Sequence, residues 1–86
     1  MDEAELRRTA RDKLRQGELP RLNPERIWIN PGSWEPCALC GVPITDSETE
    51  YELQFTMRFG LGRTELVSFW FHTACYTTWL DERARP

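Results

Sequence analysis

Histidine occurs once in this chain and cysteine three times. No apolar run approaches the ~20 residues that cross a bilayer. Each shortage excludes something. An odd number of cysteines cannot form a fully paired disulfide framework, so a secreted disulfide scaffold fits poorly and a reducing, cytoplasmic setting fits well. The first residues, Met1-Asp2-Glu3-Ala4-Glu5-Leu6-Arg7-Arg8, hold no apolar stretch of the signal-peptide kind. No Gly-rich phosphate loop is present, since Gly60-x-Gly62 is accounted for by a hairpin turn. No repeat or low-complexity tract is visible. The expectation is a single soluble domain of 86 residues with no membrane segment. A chain this short has a thin core and often adds a staple.

The formal charge of −3 is unevenly spread. Residues 1–26 carry seven Lys/Arg against six Asp/Glu, a balance of +1; residues 27–86 carry four against eight, a balance of −4. The acidic balance of the second part argues against broad phosphate contact there.

Residues 2–16 read as a helix, part of an N-terminal helical segment 1–19. Asp2 caps it, acids fill its first turn, Gly17 ends it and Pro20 prevents its resumption. Leu6, Ala10 and Leu14 make a narrow apolar stripe, which predicts weak packing on the rest. Arg7, Arg8, Arg11 and Arg15 occupy the remaining face. That face reads either as a solvated surface of mixed charge or as an arm for an acidic or nucleic-acid partner.

Residues 20–35 hold Pro20, Pro24 and Pro31, and Pro36 follows. They read as an extended, turn-rich linker. Trp28 and Trp34, with Ile27 and Ile29, predict that the linker lies across the domain and completes its core; an exposed binding patch is the alternative. Residues 51–59 alternate apolar and polar, the mark of a strand with one wet face. Residues 64–71 predict a second strand, apolar on both faces and therefore more fully covered, closing an antiparallel hairpin. Asp46, Glu48, Glu50 and Glu52 read as solvated surface. Residues 73–83 predict a closing helix with Tyr76, Trp79, Leu80 and Arg83 at helical spacing.

The three cysteines and the histidine fall into two matched pairs, Cys37-Ala38-Leu39-Cys40 and His72-Thr73-Ala74-Cys75, with 31 residues between them. Four N/S ligands in two such pairs suit tetrahedral zinc. The bland alternative is three buried thiols and one satisfied histidine. Gly41 permits the tight turn a knuckle needs. Residues three apart at a helix start can reach one ion, and the helix N-terminus offsets the net negative charge of a three-thiolate site. The expected cofactor is one structural Zn²⁺ on Cys37, Cys40, His72 and Cys75.

This order of parts, knuckle then hairpin then helix over residues 36–83, resembles a treble-clef zinc finger. The ligand types and their order are also similar to the first zinc site of a LIM domain. The gap between the pairs is longer than in LIM, and no second four-ligand set follows. The resemblance implies an α+β treble-clef-like zinc module over residues 36–86, preceded by an N-terminal helix and a Pro-rich linker, all in one compact unit. The layout from Ala10-Arg11 through Gly17-Glu18-Leu19-Pro20 to the knuckle further resembles small uncharacterised bacterial proteins, a likeness that brings no function.

Enzymatic readings are excluded one by one. Catalytic zinc keeps an open position, whereas four strong ligands close this one. Treble-clef nucleases need a second histidine. Zinc deaminases share Pro36-Cys37-x-x-Cys40, but their His-x-Glu precedes it, and here Ala74 stands where the glutamate should be. A thioredoxin-like motif needs a helix after Cys37-x-x-Cys40, which Gly41-Val42-Pro43 breaks. The expected function is a non-catalytic protein-interaction or regulatory module. Alternatives are a nucleic-acid-binding zinc module using Arg7, Arg8, Arg11 and Arg15, and a homodimer with Trp28 or Trp34 in its interface.

Overall fold

The computed structural model describes residues 1–85; Pro86, the last residue of the expected zinc module, lies outside them. The chain forms helix α1 (Glu3–Arg15), strands β1 (Arg26–Pro31), β2 (Thr49–Arg58) and β3 (Thr64–His72), and helix α2 (Thr73–Arg83). This is a small α+β fold with a three-stranded antiparallel sheet in the order β1-β2-β3. Among the described residues no helix is long and apolar enough to cross a membrane.

The start and stop of α1 follow its sequence. Glu5 N–H donates to Asp2 Oδ1 at 2.8 Å, and Glu3 and Glu5 lie in the first turn, where the dipole favours negative charge. At the other end Gly17 adopts φ +78°, letting Glu18 N–H reach the Lys13 carbonyl at 2.8 Å and Gly17 N–H reach that of Leu14 at 3.2 Å. The stripe is not weakly packed, as its narrowness suggested. Ala10, Leu14 and Leu19 are all buried, with Leu6 against them. The helix gains a second hold through charge, because Arg7 Nη1 donates to the buried Glu82 Oε2 of α2 at 2.9 Å.

Trp79 is the centre of the core, with no exposed surface. Its ring meets Phe55 edge-on at 5.9 Å and stacks on Phe71 at 5.8 Å between centroids. Its Nε1–H donates to the Pro20 carbonyl at 2.9 Å, which draws the segment after α1 over the helix. The Arg83 guanidinium lies 4.5 Å from the same ring and Nη1 donates to the Leu22 carbonyl at 2.7 Å.

Three expectations are corrected. The 20–35 linker contains β1, an edge strand, where its last residue, Pro31, costs no ladder bond. It does not complete the core: all six residues of β1 are exposed, as is Trp34, because α2 packs on β2 and β3 and leaves β1 beyond its reach. The second strand is not the better covered one. The central strand β2 buries Glu50, Leu53 and Phe55, whereas β3, an edge, buries only Phe71.

Candidate metal centre

The knuckle is a closed loop of backbone bonds. Cys37 N–H donates to Val42 O at 3.0 Å, and Gly41 N–H returns to Cys37 O at 2.9 Å. Gly41 takes φ +80°, which a side chain would strain. Flanking pairs extend the loop into a short ladder: Pro36 bridges Pro43, and Ile44 N–H donates to Glu35 O at 2.9 Å. Two other elements fix the turn. Ala38 N–H donates to Trp70 O of β3 at 2.7 Å, and Lys13 Nζ of α1 donates to Ala38 O at 2.9 Å.

The second pair sits where strand becomes helix. His72 ends β3 and is the N-cap of α2, with extended φ −66° and ψ 159°. Its side chain makes no capping bond and turns toward the thiols instead, Nδ1 lying 3.4 Å from Cys40 Sγ. Cys75 is in the first turn of α2, where the dipole is favourable to a thiolate.

The structure brings Cys37, Cys40, His72 and Cys75 together, with one ligand atom from each and all four within 4.8 Å of one another. Bonds of about 2.3 Å to sulfur and about 2.0 Å to nitrogen put tetrahedral ligand atoms roughly 3.5–3.8 Å apart. The widest pair therefore needs to close by no more than about 1 Å. Cys37 and Cys75 are buried and Cys40 and His72 half-buried. An open cleft of about 640 Å³, lined by Leu6, Cys40, Val42, Glu48 and His72 among others, gives an ion a way in.

The thiols compete for one negative charge. The Cys75 thiol donates to Cys37 and holds it down to about 4. Cys75 is pushed up by that same hydrogen bond and then by burial. Cys40 is also raised, chiefly by burial. A central dication relieves the conflict, since a coordinating thiol is deprotonated outright. The donor set and its spacing are thus compatible with one zinc ion.

The acidic cluster is not uniform surface. Glu50 is buried, its Oε1 accepting Ser33 N–H at 3.0 Å and the Ser33 hydroxyl at 2.6 Å. Glu48 Oε1 accepts Thr45 N–H at 2.9 Å and Thr45 Oγ1–H at 3.0 Å, and lies 3.5 Å from His72 Nε2. The Thr45 amide, first, and its hydroxyl hold the Glu48 carboxyl below its usual range. Asp46 is exposed and Glu52 half-exposed. A Thr-x-x-Glu spacing was the available signal for the Glu48 turn. Nothing local marks Glu50.

The other candidates are scattered. Arg7 is engaged by Glu82, Asp81 and Glu3, Arg11 Nε lies 3.1 Å from Glu82 Oε1, and Arg15 pairs with Asp12. Arg8 alone of the four has no ion pair among the described residues. Trp28 and Trp34 are both exposed. Trp34 also has φ +68°, rare for a bulky residue, and is locked there by its N–H to Ile44 O at 2.8 Å and by the Glu50–Ser33 bonds beside it. No family model matches the chain, and no curated protein and no solved structure matches it either.

Proposed function

We propose that this chain is a structural zinc module of treble-clef-like layout that acts without catalysis, as a protein-interaction or regulatory domain. The observation that carries the zinc reading is the convergence of four N/S ligand atoms within 4.8 Å from two distant pairs. Knuckle, β2–β3 hairpin and α2 follow in the order a treble clef requires, and the ligand order is LIM-like. Four strong donors leave no open coordination position, and the chain has no further histidine to act as a base. Zinc would tie the knuckle to the closing helix, which suits a domain whose core depends on so few side chains. The interaction role is supported by Trp34, a large ring at 59% exposure on a backbone fixed by hydrogen bonds, with Val42 of the knuckle also exposed. Nucleic-acid binding draws little support from α1, where Arg7, Arg11 and Arg15 are already paired with acids.

Elemental analysis of purified protein tests the first part and should give close to one zinc per chain. A folded protein without metal would sink it. Affinity capture from the native host with wild type and Trp34→Ala side by side tests the second. A partner retained by the wild type and lost by the variant is the expected result; an identical set of bound proteins would refute a role for this ring.

A further inference from the structure

We propose that Glu48 is the outer carboxylate of the metal centre, a positioning residue that fixes the His72 ring so that Nδ1 faces the ion and Nε2 carries the proton. This rests on the zinc reading above and adds to it a named tautomer and a named orienting group. The two ring nitrogens face different chemistry. Nδ1 lies 3.4 Å from Cys40 Sγ, inside the ligand cluster. Nε2 lies 3.5 Å from Glu48 Oε1. A neutral imidazole that ligates through one nitrogen holds its proton on the other, and that proton needs an acceptor. Metal-bound histidines almost always give it to a carboxylate, a carbonyl or a water, which sets the ring angle and raises ligand basicity.

Glu48 is built to wait there. Its main chain is held on both sides, Glu48 N–H donating to Thr45 O at 3.0 Å and Glu48 O accepting Gly32 N–H at 2.9 Å. Its side chain is held by the Thr45 amide and hydroxyl on the same oxygen that faces the histidine. Closing the Nε2–Oε1 distance by about half an ångström gives an ordinary N–H···O bond, the sort of adjustment that drawing four ligands onto an ion would bring. Glu5 also lines the cleft but forms no ion pair with His72 among the described residues.

His72 is the only histidine, so long-range ¹H–¹⁵N correlation of the zinc-loaded wild type reads this ring alone. The expected spectrum has a protonated Nε2 and a metal-bound Nδ1; metal on Nε2 would overturn the proposal, with no variant needed. Competition against a chelator then measures zinc affinity. Glu48→Ala should weaken it by roughly 10- to 100-fold. Glu48→Gln, which keeps an acceptor for both Thr45 and His72, should recover most of that loss, and Glu5→Gln should match the wild type. A Glu48→Ala variant as tight as wild type, or a Glu48→Gln variant as weak as Glu48→Ala, would refute the role while leaving the zinc site standing. Failure of the wild type to take up zinc is a separate result and would fall on the zinc reading itself.

Discussion

Arg7 on α1 reaches Glu82 on α2 at 2.9 Å, and the Glu82 side chain is entirely shut from solvent. Arg11 and Arg85 approach the same carboxylate at 3.1 and 3.3 Å. One buried acid thus gathers three arginines and joins the first helix to the last. A buried ion pair of this kind matters most when it is broken, because the surviving charge is stranded. Arg7→Met should lower the melting temperature by several degrees. Arg7→Met/Glu82→Met should recover part of the loss, since the buried acid, left to the exposed Arg11 and Arg85 alone, is gone. Thermal unfolding of the two single variants and the double variant checks this, and strict additivity would contradict the coupling.

Trp79 ties α2 to β2, to β3 and to the segment after α1. Trp79→Ala should cost about 3–5 kcal/mol, the range for deleting a buried aromatic, measured as a shift in urea midpoint. Trp79→Phe keeps most of the packing and loses the bond to the Pro20 carbonyl. It should cost clearly less and should loosen residues 20–24 first, visible as faster amide exchange there.

Gly32 is required for space. A Cβ at that position would stand 2.1 Å from the Thr45 carbonyl oxygen and 2.5 Å from that of Ile44. Gly32→Ala should therefore disturb the loop that positions Ser33, Trp34 and Glu48, with a lower melting temperature and a shifted Trp emission spectrum. Gly60 has nothing within 4 Å of its own hypothetical Cβ, and Gly60→Ala should leave both readings unchanged.

Removal of zinc should collapse much of the stability. Structural zinc is worth on the order of 10 kcal/mol in finger peptides. A chelator should lower the melting temperature strongly, and Cys75→Ser should mimic it; an unchanged melting curve would contradict the assignment. Acid should act in the same direction, because thiolates and imidazole must be proton-free to bind. The Glu48 turn adds to this. Its folded carboxyl lies below its ordinary range, so what it contributes is present above the unfolded pKa and is lost as pH falls through the lower folded value. Zinc release followed with a colorimetric chelator should rise as pH falls.

Titration with DNA or RNA at rising salt checks the arginine face. With Arg7, Arg11 and Arg15 paired internally, little or no low-salt binding is expected. Tight binding that weakens steeply with salt would restore the nucleic-acid reading.

The parts written in local pattern were legible. The ends of α1 were visible in Asp2 and Gly17, β2 in its alternation, and α2 in the spacing of Trp79 and Arg83. The convergence of Cys37, Cys40, His72 and Cys75 was visible because Cys and His are scarce and paired. Strand β1 was not, because Ile27-Trp28-Ile29 neither alternates nor escapes flanking prolines, and an edge strand exposed on both faces needs no amphipathic signature. Glu82 could not be read either. Its burial depends on Arg7, 75 residues earlier, and on how two helices come to lie together. Glu50 was misread for the same reason, since its partner Ser33 lies across the sheet edge.

Trp34 has an evolutionary consequence. Its left-handed backbone disfavours a bulky residue by roughly 1–2 kcal/mol, and its ring gains little burial in return. Selection for stability alone would drift this position toward glycine or asparagine. Related sequences that keep an aromatic residue here would be under a pressure other than folding, and those that lose it would mark lineages in which that pressure has lifted.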